Sequence, residues 1–179
     1  MAQQSVSVQL TGQSPLLMNA FPRVPLEAAE KKSPEEQAEH ATYRDPGTGE
    51  LYVPGVNIQR ALVAAASYSK GKGRATLQRQ AAACLMVSPE RILINGGGVK
   101  DYVIDSRPVV VPATKGRVMR HRPTFDKWTL AFEIEYDDAL LNAKDVRTIV
   151  DNMGTRVGIL DFRPEKRGQF GRSTVTRWE

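Results

Sequence analysis

The chain has 179 residues, of which 41% are hydrophobic, and its 25 Lys and Arg exceed its 20 Asp and Glu to give a net charge of +5. These proportions suit one folded domain spanning residues 1–179 and exclude wholesale disorder or a fibrous repeat. The longest apolar runs, around Ala61–Ala66 and Ala81–Val87, fall far short of the ~20 residues of a membrane-spanning helix, and Met-Ala-Gln-Gln-Ser lacks the features of a secretory signal, so a cytoplasmic protein without membrane contact is expected.

Ser5–Leu10 alternates polar and apolar residues and predicts a strand with one buried face, ended by Gly12 and prolonged through Ser14-Pro-Leu-Leu-Met-Asn19. Phe21–Glu50 carries four prolines and no steady apolar period, which predicts a long insertion loop of the functional or disordered kind. Within it, Ser33-Pro-Glu-Glu-Gln has the N-cap and first-turn proline of a short helix. Thr42–Val53 reads as a small hairpin around Pro46-Gly47.

Pro54-Gly55 opens a helix whose apolar stripe is Ile58, Leu62, Ala65 and Ala66, and Gly71 and Gly73 stop it. A second helix is expected through Leu77, Ala81, Cys84, Leu85 and Val87 as far as Ser88-Pro89, and Arg91–Asn95 follows as a strand. Cys84 is the chain's one cysteine, so neither an internal disulfide nor a zinc cage is expected. Tyr102–Val111 and Arg117–Phe125 form the arms of a basic hairpin over residues 102–125. Trp128–Tyr136 has period-2 patterning with Trp128, Leu130, Phe132, Ile134 and Tyr136 on the buried face. Asn142 caps a helix through Val146, Ile149, Val150 and Met153 that Gly154 should end. A glycine- and arginine-bearing loop, Gly158–Gly171, precedes a last strand, Ser173–Trp178. Without its insertions the order is β-α-β-β-α-β, which predicts an α+β fold with a ferredoxin-like, RRM-like core. Many unrelated functions use that layout.

Charge is unevenly spread. Glu27–Glu50 sums to −4, Lys70–Arg122 to +8 and Arg163–Arg177 to +4. Two basic tracts suit a polyanion-binding face, although a solvated surface would carry such charges as well.

Three stretches resemble the RAMP superfamily, the RNA-binding backbone subunits of CRISPR effector complexes in antiviral defence. They are Leu51-Tyr-Val-Pro-Gly-Val-Asn-Ile-Gln-Arg-Ala-Leu62 at the helix entry, Pro15-Leu-Leu-Met-Asn19 after the first strand, and Gly158–Arg172 before the last. The resemblance implies an RRM-like subunit, a minimal or divergent member, that stacks head-to-tail with its copies along a guide-like RNA. A β-hairpin "thumb" would reach over the next subunit, and Tyr102–Phe125 is the candidate for it.

The residues expected to contact RNA fall in five groups. Asn19 lies in the stretch after the first strand, and Asn57 and Arg60 lie at a helix N-terminus, where free N–H groups favour phosphate. Lys70, Lys72 and Arg74 sit on a Gly-spaced loop, which could equally be a solvated linker. Lys115, Arg117, Arg120, His121 and Arg122 make the hairpin basic, with Arg120 and Arg122 on one face and His121 on the other; charge on an edge strand also guards against aggregation. Arg163, Lys166, Arg167, Phe170 and Arg172 lie in the C-terminal loop, where Phe170 would stack on a base or plug a gap. Asp161 reads as an internal ion-pair or turn carboxylate.

No catalytic residue, cofactor or metal is expected. His40 and His121 fit no triad or metal-ligand spacing, and Gly96-Gly-Gly98 lacks the Gly-Lys-Ser/Thr of a phosphate-binding loop. Some RAMP relatives cleave RNA with an Asp after strand one; here Asp45 occupies a Pro-Gly turn, where Asp is expected for backbone reasons. The expected function is therefore an RNA-coating scaffold that leaves bases free to pair with a target RNA or DNA. A sequence-tolerant single-stranded DNA-binding protein is the alternative, and a RAMP-type endoribonuclease a third.

Overall fold

Alternation along the first strand and along the Trp128–Tyr136 segment builds the centre of the main sheet. In a computed structural model that describes residues 3–21, 25 and 31–179, β1 (Gln3–Gly12) lies antiparallel to β8 (Thr129–Asp137), with Val6 opposite Ile134, Val8 opposite Phe132 and Leu10 opposite Leu130. Trp128, Leu130, Phe132, Ile134 and Tyr136 are all buried, as their alternation predicts. The Trp128 indole N–H donates to the Ser14 carbonyl at 2.9 Å, and a Cβ on Gly12 would lie 2.3 Å from that ring. Glycine at position 12 lets the indole close over the strand end.

β4 (Met86–Ser88) borders β8, and β9 (Ser173–Trp178) borders β1 across a bulge between Gln9 and Leu10, which gives the antiparallel order β4-β8-β1-β9. Two helices complete the core under this sheet. α2 (Gly55–Ala65) supplies Ile58, Leu62 and Ala65, and α4 (Ala143–Asn152) supplies Val146, Ile149 and Val150. Each fully buried Val, Leu or Ile among them contributes about 1.5–3 kcal/mol. Asn142 caps α4 by accepting from the Asp145 N–H at 3.0 Å.

A second sheet, β2-β7-β6, joins Leu16–Leu17 (β2) to the hairpin arms Val103–Val110 (β6) and Arg117–Phe125 (β7). The inner half of the hairpin is embedded rather than free: Arg122, Pro123, Thr124 and Phe125 are buried, and α1 (Pro34–His40) packs against β7. Ser33 caps α1 in a reciprocal box with Glu36. Of the acidic insertion, residues 22–24 and 26–30, including Glu27 and Glu30, lie outside the described residues.

The mixed α+β class matches the reading of the sequence, while three boundaries differ from it. α3 runs only over Gln78–Cys84, because Met86–Ser88 leaves the helix to pair with β8. The expected strand at Arg91–Asn95 is three residues long, Arg91–Leu93 (β5), and it pairs with β3 (Tyr52–Pro54) in a separate two-stranded sheet instead of entering the main one. Gly154 does not stop the last helix; the chain continues through a wide turn, Met153–Val157, and Gly158 at φ +76° ends it. A Cβ on Gly154 would lie 2.3 Å from the Ser173 carbonyl, so this glycine serves close packing against β9. Among the described residues no helix is long and apolar enough to cross a membrane.

Candidate nucleic-acid interface

The C-terminal loop is folded tightly on itself. Ile159 N–H donates to Gly171 O at 3.0 Å, Phe170 N–H to Phe162 O at 3.1 Å, and Gly171 N–H to Pro15 O at 2.8 Å. Gly168 is needed because a Cβ there would lie 1.7 Å from the Phe162 carbonyl oxygen. Leu160 and Phe162 take φ of +61° and +48°, a left-handed conformation that costs about 1–3 kcal/mol for such residues and concentrates at functional sites. Between these two strained residues stands Asp161, whose N–H donates to Leu17 O at 3.0 Å.

The Asp161 carboxylate ties three segments together. Its Oδ2 accepts from Arg122 Nη1 at 2.5 Å and from Asn19 Nδ2 at 3.1 Å. Arg122 is only 6% exposed, because it lies on the embedded half of β7. Its Nε and Nη2 are buried and have no hydrogen-bond acceptor among the described residues.

Two cavities adjoin at this cluster and share Asn19 and Tyr43. The first, of about 380 Å³, lies between α2 and the C-terminal loop; Asn57 and Arg60 face Asp161, Arg163 and Lys166 across it. The second, of about 470 Å³, lies between α1 and the hairpin base and brings His40 together with Arg120, His121 and Arg122. Five cations (Arg60, Arg120, Arg122, Arg163, Lys166) line the joint cleft against the carboxylates of Asp161 and Glu165. Arg163 is steadied by Glu165 at 2.7 Å and by the Leu160 carbonyl at 2.8 Å. His121 Nδ1 and Ser106 Oγ are 2.7 Å apart. The sheet face opposite the helices differs in kind: Ser5, Ser7, Glu133 and Glu135 point outward from β1 and β8, with Gln3 donating to Glu135 at 2.8 Å. That face offers neither stacking rings on these strands nor net positive charge.

Eight of the sequence-derived contact residues thus meet in one cleft: Asn19, Asn57, Arg60, Arg120, His121, Arg122, Arg163 and Lys166. The others line neither cavity. Lys70, Lys72 and Arg74 are exposed between α2 and α3, and Lys115 and Arg117 lie at the exposed hairpin tip. Arg167 is exposed at φ +63°, and Arg172 reaches the Thr155 carbonyl at 3.2 Å. Phe170 lies 6.0 Å from the Phe162 ring, and the Arg107 guanidinium sits 4.7 Å from its centroid, so a cation covers it. Alternation along β7 keeps Arg120 and Arg122, opposite Arg107 and Asp105, on one face and His121, opposite Ser106, on the other, and all three residues line the second cavity. Arg122 is buried where an exposed cation was expected, because it lies on the embedded half of β7.

Sequence reasoning missed Tyr43, His40 and Arg107. Tyr43 was within reach: counting outward from the Asp45–Gly49 turn sets it opposite Tyr52, and Tyr52 N–H donates to Tyr43 O at 3.0 Å. Asp45 is the turn residue the sequence implied, with Oδ1 accepting from Gly47 and Thr48 N–H at 2.8 and 3.0 Å and Oδ2 paired with Arg91. The two backbone N–H groups, then Arg91, hold its carboxyl below the usual range. Among the described residues no group of three or more His, Cys, Asp and Glu is placed to hold a metal ion. No family model matches the chain, and no curated protein matches it significantly.

Proposed function

We propose that the chain is an RNA-binding backbone subunit of the RAMP kind, with a ferredoxin-like, RRM-like core, that assembles head-to-tail along a guide-like RNA and leaves its bases free to pair with a target. The strand order β4-β8-β1-β9, with α2 between β1 and β4 and α4 between β8 and β9, supports the core assignment. The observation that carries the function is convergence. Asn19, the α2 entry with Asn57 and Arg60, the hairpin base with Arg122, and the C-terminal loop with Arg163 and Lys166 come from four distant stretches and line one cationic cleft.

RNA lies along this cleft and not on the open sheet face, whose outward carboxylates repel phosphate. Contacts of this type grip the backbone and leave sequence to base pairing. Asp45 takes no part in cleavage, since its carboxylate is spent on its own turn and on Arg91. Sequencing the nucleic acid that copurifies with the protein tests the reading. A discrete RNA population is expected, with particle mass rising in steps as longer RNAs are supplied. Mixed single-stranded DNA would establish the alternative, and a constant one-to-one complex on every RNA length would refute the assembly.

A further inference from the structure

We propose that Arg122 is a phosphate receptor: the Nε–Nη2 edge of its guanidinium grips two oxygens of one phosphate group in the second cavity while Nη1 stays on Asp161. Arginine carries five N–H donors and no acceptor. Among the described residues only Nη1 is engaged, at 2.5 Å from Asp161 Oδ2, and the side chain is 7% exposed. Nε and Nη2 are buried without an acceptor among the described residues. A buried charged donor left unmade is destabilising, and native folds keep few of them without a functional reason. The Nε–Nη2 edge presents two parallel N–H groups, the fork that suits a tetrahedral phosphate or a carboxylate.

The surroundings favour an anion with more than one acceptor face. Arg120, His121 and His40 share the cavity with Arg122, and its described lining contains no carboxylate. Its volume of about 470 Å³ lies within the range of small-molecule sites, roughly 300–1,000 Å³. Asp161 contributes by position: it holds the guanidinium by one end, and Asn19 fixes the same oxygen at 3.1 Å, so a small opening of the cavity wall is enough to present the fork to a ligand. The phosphate comes either from the RNA backbone, which rests on the function proposed above, or from free phosphate or a nucleotide.

Two measurements separate these cases. Wild-type protein labelled on arginine is titrated with inorganic phosphate and with oligouridine while the Arg122 Nε–H resonance is followed. Arg122→Lys, which keeps a charge for Asp161 but lacks the fork, is assayed for oligouridine binding beside its melting temperature. A backbone site predicts that both ligands move the resonance and that the folded Lys variant binds oligouridine about tenfold more weakly. A site for free phosphate predicts that inorganic phosphate alone moves the resonance and that oligouridine affinity is unchanged. A resonance that stays still with both ligands overturns the proposal, even if the Lys variant does not fold. Oligouridine binding that leaves this resonance unmoved, in a protein that phosphate also leaves unmoved, removes Arg122 and keeps the RNA reading. Phosphate binding without any oligouridine binding does the reverse.

Discussion

Arg60 on α2 and Lys166 on the C-terminal loop face each other across the first cavity, both exposed and neither in an ion pair among the described residues. Replacing both with Ala removes charge without opening the core, so the fold should persist. The magnitude follows from counterion release: on a single strand each neutralised phosphate contributes about 0.7 to the slope of log affinity against log salt. If all five cleft cations contact phosphate, the wild-type slope is about −3.5, and the double variant should flatten it by about 1.4. The control is the Lys70, Lys72 and Arg74 triple Ala variant. That loop lines neither cavity, so its slope should equal wild type, whereas three phosphate contacts there would remove about 2.1. Fluorescence anisotropy with a labelled oligouridine over a salt series measures all three proteins. An unchanged slope in the cleft variant, or a flattened one in the loop variant, refutes the assignment of the cleft as the binding surface.

Gly168→Ala forces a methyl group into the 1.7 Å gap beside the Phe162 carbonyl; overpacking of this kind costs about 1–3 kcal/mol and should lower the melting temperature by roughly 2–12 °C. Ser33→Ala breaks the capping box of α1 and should cost about 1 kcal/mol, seen as faster amide exchange in Glu36 and Gln37 with exchange in α4 unchanged. Arg44 hydrogen bonds, at 2.7 and 2.9 Å, are the main cause holding the Glu39 carboxyl below its ordinary value of 4.5, with the Tyr102 hydroxyl assisting at 2.9 Å. A lowered folded value means that the stabilisation is full above about pH 4.5 and fades as pH falls through the lowered value. Glu39→Gln should therefore be less stable than wild type in urea at neutral pH, and the gap should close on acidification; a gap constant with pH would refute the linkage.

What the sequence could show depended on how far apart the deciding residues lie. The last strand runs over Ser173–Trp178 as expected, and the buried face of β8 follows its period of two, a pattern that is local. The Ser33 cap and the Pro54-Gly55 entry to α2 were likewise written within four residues. β4 was hidden, since Ala81, Cys84, Leu85 and Val87 continue a helical period, and it is the pairing of Met86, Val87 and Ser88 with Glu135, Ile134 and Glu133 that draws the chain into the sheet. The cleft was half legible: its cations stand out, but the carboxylate that buries Arg122 is 39 residues away and no local pattern joins them.

The hairpin base and the C-terminal loop form one mechanical unit, and this bears on how an assembly along RNA would work. Arg122 on β7 is bound to Asp161, while Arg107, opposite Arg120 on β6, lies 4.7 Å from the Phe170 ring centroid and 5.7 Å from that of Phe162. Asp105 fixes the Arg107 guanidinium through Oδ2 at 2.7 Å and Oδ1 at 2.5 Å. Two arginines, one from each arm, therefore grip the loop that lines the first cavity. The hairpin cannot swing at its base without separating the Arg122 side chain, 7% exposed, from the Asp161 carboxylate, 32% exposed, which would leave a largely buried cation without its partner. Only the distal part, with exposed Val110, Lys115, Arg117 and Met119, lies beyond these clamps. In the proposed assembly the tip is the part able to meet a neighbour, and the clamps on Asp161 and on the loop aromatics fix the direction in which it points. Asp161 touches both the hairpin base and the cleft wall, so in the proposed assembly it is the residue that joins the RNA-facing cleft to the arm that would meet a neighbour.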